Sequence, residues 1–289
     1  MTVLEALQQA SGQLKEVASE SAMLDAEVLL AHSIGMPKNW LFTHLDYELR
    51  EHELTAFSAA VLRRMKREPI AYVIGSKDFY GRKYKVTPST LIPRPATETL
   101  VDAAKEAAKG SDGVVFADIG TGSGAIAITL AAETKLPVVA TDISPEALEV
   151  AKENATALGV TVEFRVGNVL EPIVEHFRAG VGDVKHLVIC ANLPYLTKHQ
   201  IECAEPDVKD FEPHSALEAG ADGLDCYFEL FRQLKQNRSV LPERVTVLIE
   251  IDPSQRQSAV NLILHDFPAA KPVVLQDLSG LDRIVIAEM

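Results

Sequence analysis

The sequence lacks several features that mark other classes of protein. Its 289 residues contain only three cysteines, Cys190, Cys203 and Cys226, whose number is odd and whose spacing is not that of metal ligands. We therefore expect reduced thiols in a reducing compartment and no metal site. No apolar run is long enough to span a membrane, and the first residues have neither the basic head nor the apolar stretch of a signal peptide. These absences predict a cytoplasmic protein with no membrane partner.

Positive charge is also scarce. The chain has 28 Lys and Arg residues against 41 Asp and Glu residues, which gives a net charge of −13. Such a charge disfavours broad binding to phosphate backbones. The one basic run, Arg63–Arg67, is more simply explained as a solvated helix end, so no direct nucleic-acid partner is expected. What the chain does have is 47% hydrophobic residues, enough to bury a substantial core.

Residues 114–124 contain a glycine-rich loop. They read VVFADIGTGSG, which is a short apolar strand pattern followed by an acid and three alternating glycines, and an apolar helix pattern comes next. Strand, glycine loop and helix open the βαβ unit that binds nucleotide-like cofactors. Glycine, which has no Cβ, permits the sharp turn and the close approach of a ligand. The loop has no Gly-Lys-Ser/Thr ending, which excludes a phosphate-binding P-loop.

Two acidic residues narrow the choice of cofactor. The second strand pattern ends at Asp142, a little over 20 residues past Gly120, where a carboxylate can accept hydrogen bonds from both hydroxyls of a ribose. NAD, FAD and S-adenosylmethionine all fit such a loop. Asp118, just before the glycines, would repel a pyrophosphate but would suit the ammonium and sulfonium of S-adenosylmethionine. The pattern therefore favours S-adenosylmethionine as the cofactor. The simpler alternative is a glycine turn that binds no ligand.

The sequence pattern divides the chain into three parts. Residues 1–75 are helical in pattern and predict an N-terminal helical bundle, whose lack of a polar constellation suggests recognition or support. Residues 76–96 predict a β-hairpin linker that continues into prolines. Residues 97–289 alternate helix and strand and predict the catalytic domain that binds the cofactor. Its last two strand patterns, Val273–Gln276 and Arg283–Ala287, are too close for a crossover helix and should pair antiparallel. The predicted fold is α/β, the Rossmann-like class I S-adenosylmethionine-dependent methyltransferase fold with a seven-stranded, mostly parallel sheet.

A polar tetrapeptide, Asn192-Leu193-Pro194-Tyr195, ends the fourth strand pattern. Because ligands of doubly wound sheets bind at the carboxyl ends of the strands, it should lie beside the glycine loop. Asn192 offers an amide oxygen, Pro194 a rigid turn with free carbonyls, and Tyr195 a flat face for stacking. Together they suit a planar –NH2 group that is aimed at the methyl carbon mainly by position and electrostatics. A proline turn with an Asn cap is the simpler alternative.

With these motifs, the chain resembles the protein-(glutamine-N5) methyltransferase family that modifies peptide chain release factors (HemK/PrmC). The resemblance extends over nearly the full length. It is carried by the linker residues 79–95, the loop Asp118–Gly124, Asp142, the tetrapeptide 192–195, Glu212-Pro213, the stretch 216–224 and the ending 277–283.

The resemblance implies a role for each site residue. S-adenosylmethionine should bind on Asp118, Gly120, Thr121, Gly122, Ser123 and Gly124, with its ribose on Asp142, its adenine beside Asn168 and Val169, and Asn192 also in contact. Asn192, Leu193, Pro194 and Tyr195 should hold the side-chain amide of the glutamine in the Gly-Gly-Gln loop of the release factor. Asn192, Pro194 and Tyr195 are the expected catalytic residues. The helical domain and the linker should help to grip the release factor.

The sequence departs from the family pattern at three positions. Leu193 stands where the family usually has the first of two prolines, which leaves the turn less rigid. Ala96 replaces a usual acid, and Val169 replaces an aromatic residue that is often found beside the adenine.

Other functions fit parts of the pattern. An N6-adenine DNA or RNA methyltransferase uses the same tetrapeptide on a flipped base, although the acidity of the chain disfavours it. A glutamine methyltransferase of a ribosomal protein is a related alternative. A non-catalytic binding module and a nicotinamide oxidoreductase are further alternatives, which the intact loop and the tetrapeptide respectively disfavour.

Overall fold

The structure is a computed structural model that describes residues 1–17, 21–180 and 182–289. Its contacts divide the chain into two units. The first comprises Met1–Ser76 and Glu205–Phe211, and the second comprises Lys77–Ala204 and Glu212–Met289. The sequence pattern assigned the segment 205–211 to the catalytic part, so its grouping with the first unit differs from that assignment. No helix in the described residues has the length and apolar character needed to cross a membrane.

The helices of the first unit have the bounds α1 (Val3–Glu16), α2 (Ala22–Ile34), α3 (Lys38–Thr43), α4 (Glu51–Met65) and α5 (Ile70–Ile74). α1 begins with a capping box, because the Thr2 hydroxyl accepts the Glu5 N–H while the Glu5 carboxylate accepts the Thr2 N–H. Apolar faces of these helices bury leucines, alanines and valines in one core. The helical bundle predicted from the sequence is thus present.

An ion-pair cluster holds the segment 205–211 in the first unit. Arg64, which is 7% exposed, pairs with Asp25 at 2.8 Å and with Asp207 at 2.5 Å. Arg67 also pairs with Asp207, at 2.7 Å. The basic run seen in the sequence therefore serves, at least at Arg64 and Arg67, to bind carboxylates of the same unit.

A short hairpin follows the helices. Its strands are β1 (Ser76–Phe79) and β2 (Arg82–Lys85). Tyr80 and Gly81 form the turn with φ values of 51° and 70°, the left-handed geometry that matches the twist of a two-residue hairpin. The predicted hairpin linker is confirmed.

The remaining elements have these bounds: α6 (Glu98–Ala108), β3 (Val114–Ile119), α7 (Ala125–Thr134), β4 (Val138–Asp142), α8 (Pro145–Ala157), β5 (Glu163–Val166), α9 (Glu171–Arg178), β6 (His186–Ala191), α10 (Lys198–Cys203), α11 (Pro206–Lys209), α12 (Asp225–Gln236), β7 (Arg244–Glu250), α13 (Arg256–Asp266), β8 (Val273–Gln276) and β9 (Asp282–Glu288). Of these, α11 lies in the first unit and the others lie in the second.

The second unit is built on a seven-stranded sheet with the order β5-β4-β3-β6-β7-β9-β8. Strands β3 to β7 run parallel, and β9 pairs antiparallel with both β7 and β8. Every residue of β3 and β6 is buried, as expected for central parallel strands covered on both faces. The predicted fold class is confirmed, including the antiparallel pairing of the last two strands.

The strand order places one edge of the sheet where a ligand can bind. The chain moves outward from β3 to β4 and β5 on one side, and returns to β6 and β7 on the other. Ile119 at the end of β3 pairs with Thr141 of β4 and with Ala191 of β6. The glycine loop, Asp142 and Asn192, each of which follows or ends one of these strands, therefore meet at the topological switch point.

Candidate active site

A solvent-open cleft of about 840 Å³ lies at this switch point of the second unit. The glycine loop, the end of β4 and the tetrapeptide after β6 form part of its wall, and Thr97, Pro213 and the proline-rich connection after β2 form another part. Polar and apolar groups from distant parts of the sequence thus converge on one concave surface, which is the usual setting of a cofactor site.

The glycines of the loop are required by geometry. Gly120 and Gly124 have φ values of 72° and 81°, and a Cβ at Gly124 would lie 2.7 Å from Cδ1 of Ile128 and 3.1 Å from Cβ of Ala151. Space around Gly122 is open, with no atom within 4 Å of a Cβ placed there. A ligand can therefore approach the backbone at Gly122, while Gly124 lets α7 pack closely on α8.

Two further loop residues, Thr121 and Ser123, line the cleft. The backbone N–H of Thr121 donates to the Thr141 carbonyl at 2.9 Å, and the carbonyl of Ser123 accepts from Asn154 Nδ2 at 2.8 Å. These bonds fix the loop against β4 and α8, so its conformation is set before any ligand binds.

Asp142 lies on the cleft with both carboxylate oxygens engaged by backbone. Oδ2 accepts from the Gly122 N–H at 2.8 Å, and Oδ1 accepts from the Ser144 N–H at 2.9 Å. The Ser144 hydroxyl in turn caps α8 through the Ala147 N–H at 3.1 Å. Burial raises the pKa of Asp142 above its ordinary value, while the backbone donors act in the opposite direction. Asp142 therefore joins the glycine loop to the start of α8 and still has lone pairs for a ligand.

Asp118 is placed differently from Asp142. Its side chain is fully buried, and Oδ2 accepts from Thr121 Oγ1 at 2.6 Å and from the Ala127 N–H at 3.1 Å. Burial, with the nearby Asp142 charge, raises the pKa of Asp118 to about 7. Its Oδ1 has no hydrogen-bond partner among the described residues. The carboxyl group thus lies behind the glycine loop, and its contact with a bound cofactor stays a prediction.

Asn168 and Val169 come shortly after β5, whose last residue, Val166, pairs with Asp142. Val169 has a φ of 51°, and its carbonyl accepts from Thr141 Oγ1 at 3.2 Å. In the described part of the chain, neither residue is among those that line the cleft. The predicted adenine contact of these residues stays a prediction.

The tetrapeptide divides its side chains between the cleft and the interior. Asn192 and Pro194 line the cleft, and Asn192 Nδ2 donates to Thr97 Oγ1 at 3.2 Å. Leu193 is 6% exposed and packs in the core. Tyr195 packs against the same core, with its hydroxyl 3.4 Å from Glu250 Oε1. Alternate residues of an extended segment face opposite sides, so the flat face expected of Tyr195 for stacking is not among the described walls of the cleft.

Glu250 is a buried acid beside the tetrapeptide that the sequence analysis did not identify. It ends β7, is 1% exposed, and has an Oε2 atom with no hydrogen-bond partner in the described structure. Burial raises the pKa of Glu250, while the positive charges of Arg283 and Arg94 act to lower it. The signal available in the sequence was an acidic residue at the end of a mostly apolar strand, at the edge of the sheet where ligands bind.

Glu212, which the sequence analysis names only as part of a motif without a role, is also buried, at 3% exposure. Its Oε2 accepts from the Ile92 N–H at 3.1 Å, and its Oε1 forms an ion pair with Arg94. The next residue, Pro213, lines the cleft. Glu212 thus fixes the proline-rich connection beside the cleft.

A parallel sheet closed by an antiparallel strand, with a glycine loop after its central strand and an acid at the end of the next, defines the class I methyltransferases. Consistent with this class, residues 110–262 match the model of a methyltransferase domain, and residues 5–75 match that of the PrmC N-terminal domain. A release factor glutamine methyltransferase of Bacillus cereus is 38% identical over 100% of both chains. Another, of Bacillus subtilis strain 168, is 38% identical over 99% of this chain and 97% of its own length. The chain belongs to the release factor glutamine methyltransferase family.

Among solved structures, the hMettl16 catalytic domain in complex with MAT2A 3'UTR hairpin 6 superimposes with a TM-score of 0.54 and 13% sequence identity. The match covers 82% of this chain and 81% of that one. At this identity the likeness establishes the fold only.

Proposed function

We propose that the chain transfers the methyl group of S-adenosylmethionine to the side-chain amide nitrogen of the glutamine in the Gly-Gly-Gln loop of peptide chain release factors. The observation that carries the proposal is the position of Asn192, whose side chain lies on the same cleft as the glycine loop and Asp142. Family membership over the whole chain supports the choice of a glutamine amide as acceptor.

The residues of the cleft fit the proposed cofactor. The open space around Gly122 leaves room for a ligand against the backbone, and Asp142 can accept from ribose hydroxyls. The buried Oδ1 of Asp118 has no partner among the described residues, so it could accept a hydrogen bond from an ammonium group, whose positive charge would favour the ionised carboxyl. When bound, S-adenosylmethionine supplies an electrophilic methyl group on a positively charged sulfur.

The chain's own contribution is to orient the acceptor nitrogen. An amide nitrogen is a poor nucleophile because its lone pair is conjugated with the carbonyl group. Asn192 can accept one N–H of the substrate amide through Oδ1. The carbonyl of Leu193 can accept the other, because the Tyr227 hydroxyl, 3.4 Å away, occupies one of its two lone pairs at most. Holding both hydrogens directs the nitrogen toward the methyl carbon, and such positioning lowers the barrier without a strong base.

Two other acceptors are weaker candidates. Adenine in nucleic acid offers the same planar –NH2 group, but the net charge of −13 disfavours a polyanionic substrate. A glutamine of a ribosomal protein offers the same amide without that objection. Because release factors act on ribosomes, we place the proposed reaction in the cytoplasm.

A labelling experiment tests the proposal. The protein is incubated with methyl-labelled S-adenosylmethionine and a purified release factor, in parallel with the Gln→Ala variant of the Gly-Gly-Gln loop, adenine-containing DNA and a ribosomal protein fraction. We expect label on the wild-type release factor alone. Label on DNA or on the ribosomal fraction, with none on the release factor, would show that the release factor is not the substrate.

Asn192→Ala is the matching enzyme variant. It should abolish transfer while the protein still unfolds cooperatively at the wild-type denaturant midpoint. Asn261→Ala is its control, because Asn261 is an exposed residue of α13 whose side chain accepts a hydrogen bond from Gln257, and it does not line the cleft formed by the described residues. Near wild-type activity in Asn192→Ala would show that Asn192 does not hold the acceptor.

A further inference from the structure

Gln255 lies just beyond the end of β7, at the ligand-binding edge of the sheet. It is 6% exposed and ends the short turn Pro253–Gln255 that follows the strand. Its Oε1 accepts from the Asp252 N–H at 3.1 Å, within the same turn. Because β6 and β7 are parallel neighbours, this turn lies beside the tetrapeptide that follows β6.

The –NH2 group of Gln255 faces three carbonyl oxygens. Nε2 donates to Tyr195 at 2.8 Å, to Asp222 at 3.1 Å and to Gly223 at 3.2 Å. An amide turned the other way would place Oε1 among three acceptors and Nε2 against a backbone donor, so these contacts fix the amide in one orientation. One side chain thus joins the end of the tetrapeptide to a segment that is distant in the sequence.

Gly223 shows how closely these two segments approach each other. A Cβ at Gly223 would lie 2.2 Å from the Tyr195 carbonyl oxygen and 2.4 Å from Gln255 Nε2. The φ of Gly223 is 72°, a conformation that favours glycine. Only a residue without a Cβ allows the three carbonyls to meet one amide group here.

The joined segments are the two ends of one loop, residues 196–222, which we call the wall loop. Its base is closed by two further backbone hydrogen bonds. The Leu196 N–H donates to the Leu217 carbonyl at 2.9 Å, and the Ala219 N–H donates to the Leu196 carbonyl at 2.9 Å. The chain that leaves the tetrapeptide therefore returns to it before α12 begins.

The returning half of the wall loop forms part of the cleft. Its residues that line the cleft together with Asn192 are Pro213, Ser215 and Ala216. Since both halves of the loop are fixed at the same base, the place of these three residues relative to Asn192 depends on how that base is held.

The proposed reaction depends on accurate placement of this part of the cleft. Asn192 Oδ1 and the Leu193 carbonyl are proposed to hold the acceptor nitrogen, and a displacement of about 1 Å can cost about 100-fold in rate. The Tyr227 hydroxyl lies 3.4 Å from the Leu193 carbonyl, and Gln255 binds the carbonyl of Tyr195, two residues further along. The backbone of the tetrapeptide is thus held from the core side at both places.

We propose that Gln255 is a positioning residue for methyl transfer, which holds the tetrapeptide and the cleft-lining part of the wall loop in one fixed arrangement by binding the carbonyls of Tyr195, Asp222 and Gly223. The nature of the methyl acceptor rests on the proposed function. The clamp itself rests only on the hydrogen bonds of Gln255.

Gln255→Met tests the proposal by kinetics, because methionine has a similar length and lacks the –NH2 group. We expect kcat to fall by about tenfold or more, while the Kd for S-adenosylmethionine stays near the wild-type value, since Asp142 and the glycine loop are held by other contacts. Thr246→Val is the control, because it removes a buried hydrogen bond to His186 near the amino end of β7. An equal fall in kcat in both variants, each confirmed to be folded, would overturn the proposal.

Gln255→Glu offers a rescue that a purely structural role does not predict. A protonated carboxyl can donate to a carbonyl as the amide does, whereas an ionised carboxyl cannot. Burial beside three carbonyl oxygens should raise the pKa of the carboxyl in this variant. We therefore expect its kcat, divided by that of the wild type at the same pH, to rise as pH is lowered from about 9 to about 5.5. A kcat as low as that of Gln255→Met at every pH would contradict the clamp.

Hydrogen exchange followed by mass spectrometry tests the clamp without turnover. In Gln255→Met, peptides that contain Leu196 and Ala219 should exchange about tenfold faster, and peptides from residues 114–124 should exchange at the wild-type rate. If the wild-type protein methylates another acceptor, the substrate proposal fails, while the exchange rates and the kcat ratios on that acceptor still decide the role of Gln255. Unchanged exchange at the base of the wall loop, or an equal increase throughout the protein, would overturn it.

Discussion

Leu193 packs directly against Gly120. A Cβ added to Gly120 would lie 2.8 Å from Cδ2 of Leu193, closer than such atoms approach in real structures. The glycine loop and the tetrapeptide are therefore in contact through Leu193. A substitution at either residue should therefore alter the packing of the other.

Gly120→Ala should destabilise the fold and weaken cofactor binding. The alanine would be strained at a φ of 72° and would collide with Leu193, together costing about 1–3 kcal/mol of unfolding free energy. Leu193→Ala removes the colliding atoms but leaves a cavity in the core, at a cost of about 2–3 kcal/mol. Chemical denaturation of both single variants and the double variant measures the coupling. We expect the double variant to be more stable than the sum of the single losses predicts, and strict additivity would contradict the contact.

Asp142→Ala should weaken cofactor binding. Hydrogen bonds to a charged group are worth about 1.5–3 kcal/mol, and the change also releases the Gly122 and Ser144 N–H groups that Asp142 holds. Isothermal titration with S-adenosylmethionine should therefore give a Kd that is higher by about tenfold or more. Glu146→Ala, an exposed acid in the first turn of α8, is the control and should bind normally. An unchanged Kd for Asp142→Ala would show that Asp142 does not bind the ribose of the cofactor.

Stability should depend on pH through Asp118. Its pKa is raised from an ordinary value of 3.8 to about 7 in the folded protein, so between these values the folded state binds more protons than the unfolded state. The contribution of Asp118 to the unfolding free energy is therefore greatest below the lower value and is lost as pH rises to about 7, by at most about 1.4 kcal/mol per pH unit. Asp118→Asn removes this titration and keeps an acceptor for Thr121 and the Ala127 N–H.

The measurement is urea denaturation of both proteins at several values between about pH 5 and about pH 8. The unfolding free energy of the wild type minus that of Asp118→Asn should fall with rising pH up to about 7 and level off above it. A difference that stays constant, or that rises with pH, would show that Asp118 is ionised throughout.

Glu212→Gln should loosen the connection beside the cleft. The buried carboxylate binds both the Ile92 N–H and Arg94. The neutral amide of glutamine would form weaker hydrogen bonds with these two donors and no ion pair with Arg94. We expect a loss of about 1–3 kcal/mol in unfolding free energy. Glu106→Gln breaks an exposed pair with Lys109, in which both side chains are 73% exposed, and should cost little. Equal effects of the two changes would show that the Glu212 contacts do not stabilise the fold.

The elements that the sequence predicted well are those set by local pattern. The strand Val273–Gln276 has the predicted bounds, and the last strand, predicted as Arg283–Ala287, is longer by one residue at each end, since an apolar strand run is a local signal. α9 (Glu171–Arg178) was not predicted, although Pro172 in its first turn is a usual start signal.

Within the site, the sequence predicted the positions of those residues that directly follow or end a strand. The positions of Asn192 and Asp142 on the cleft follow from strand order and from the carboxyl ends of strands. The bonding of Tyr195 to Glu250, and of Thr97 to Asn192, depends on the register of β6 and β7 and on which side each residue faces. Those relations join residues up to 95 positions apart in sequence, and no local pattern encodes them.

The place of β9 in the sheet has a consequence for incomplete chains. All of β7 except Arg244 is buried. In the described part of the chain its outer edge pairs with β9, which is synthesised after it, through residues 284–288. A chain cut short before Asp282 would leave an apolar strand with unpaired backbone groups, which is a template for aggregation. The fold of this protein, whose proposed substrate is a factor that ends translation, therefore tolerates its own premature termination poorly.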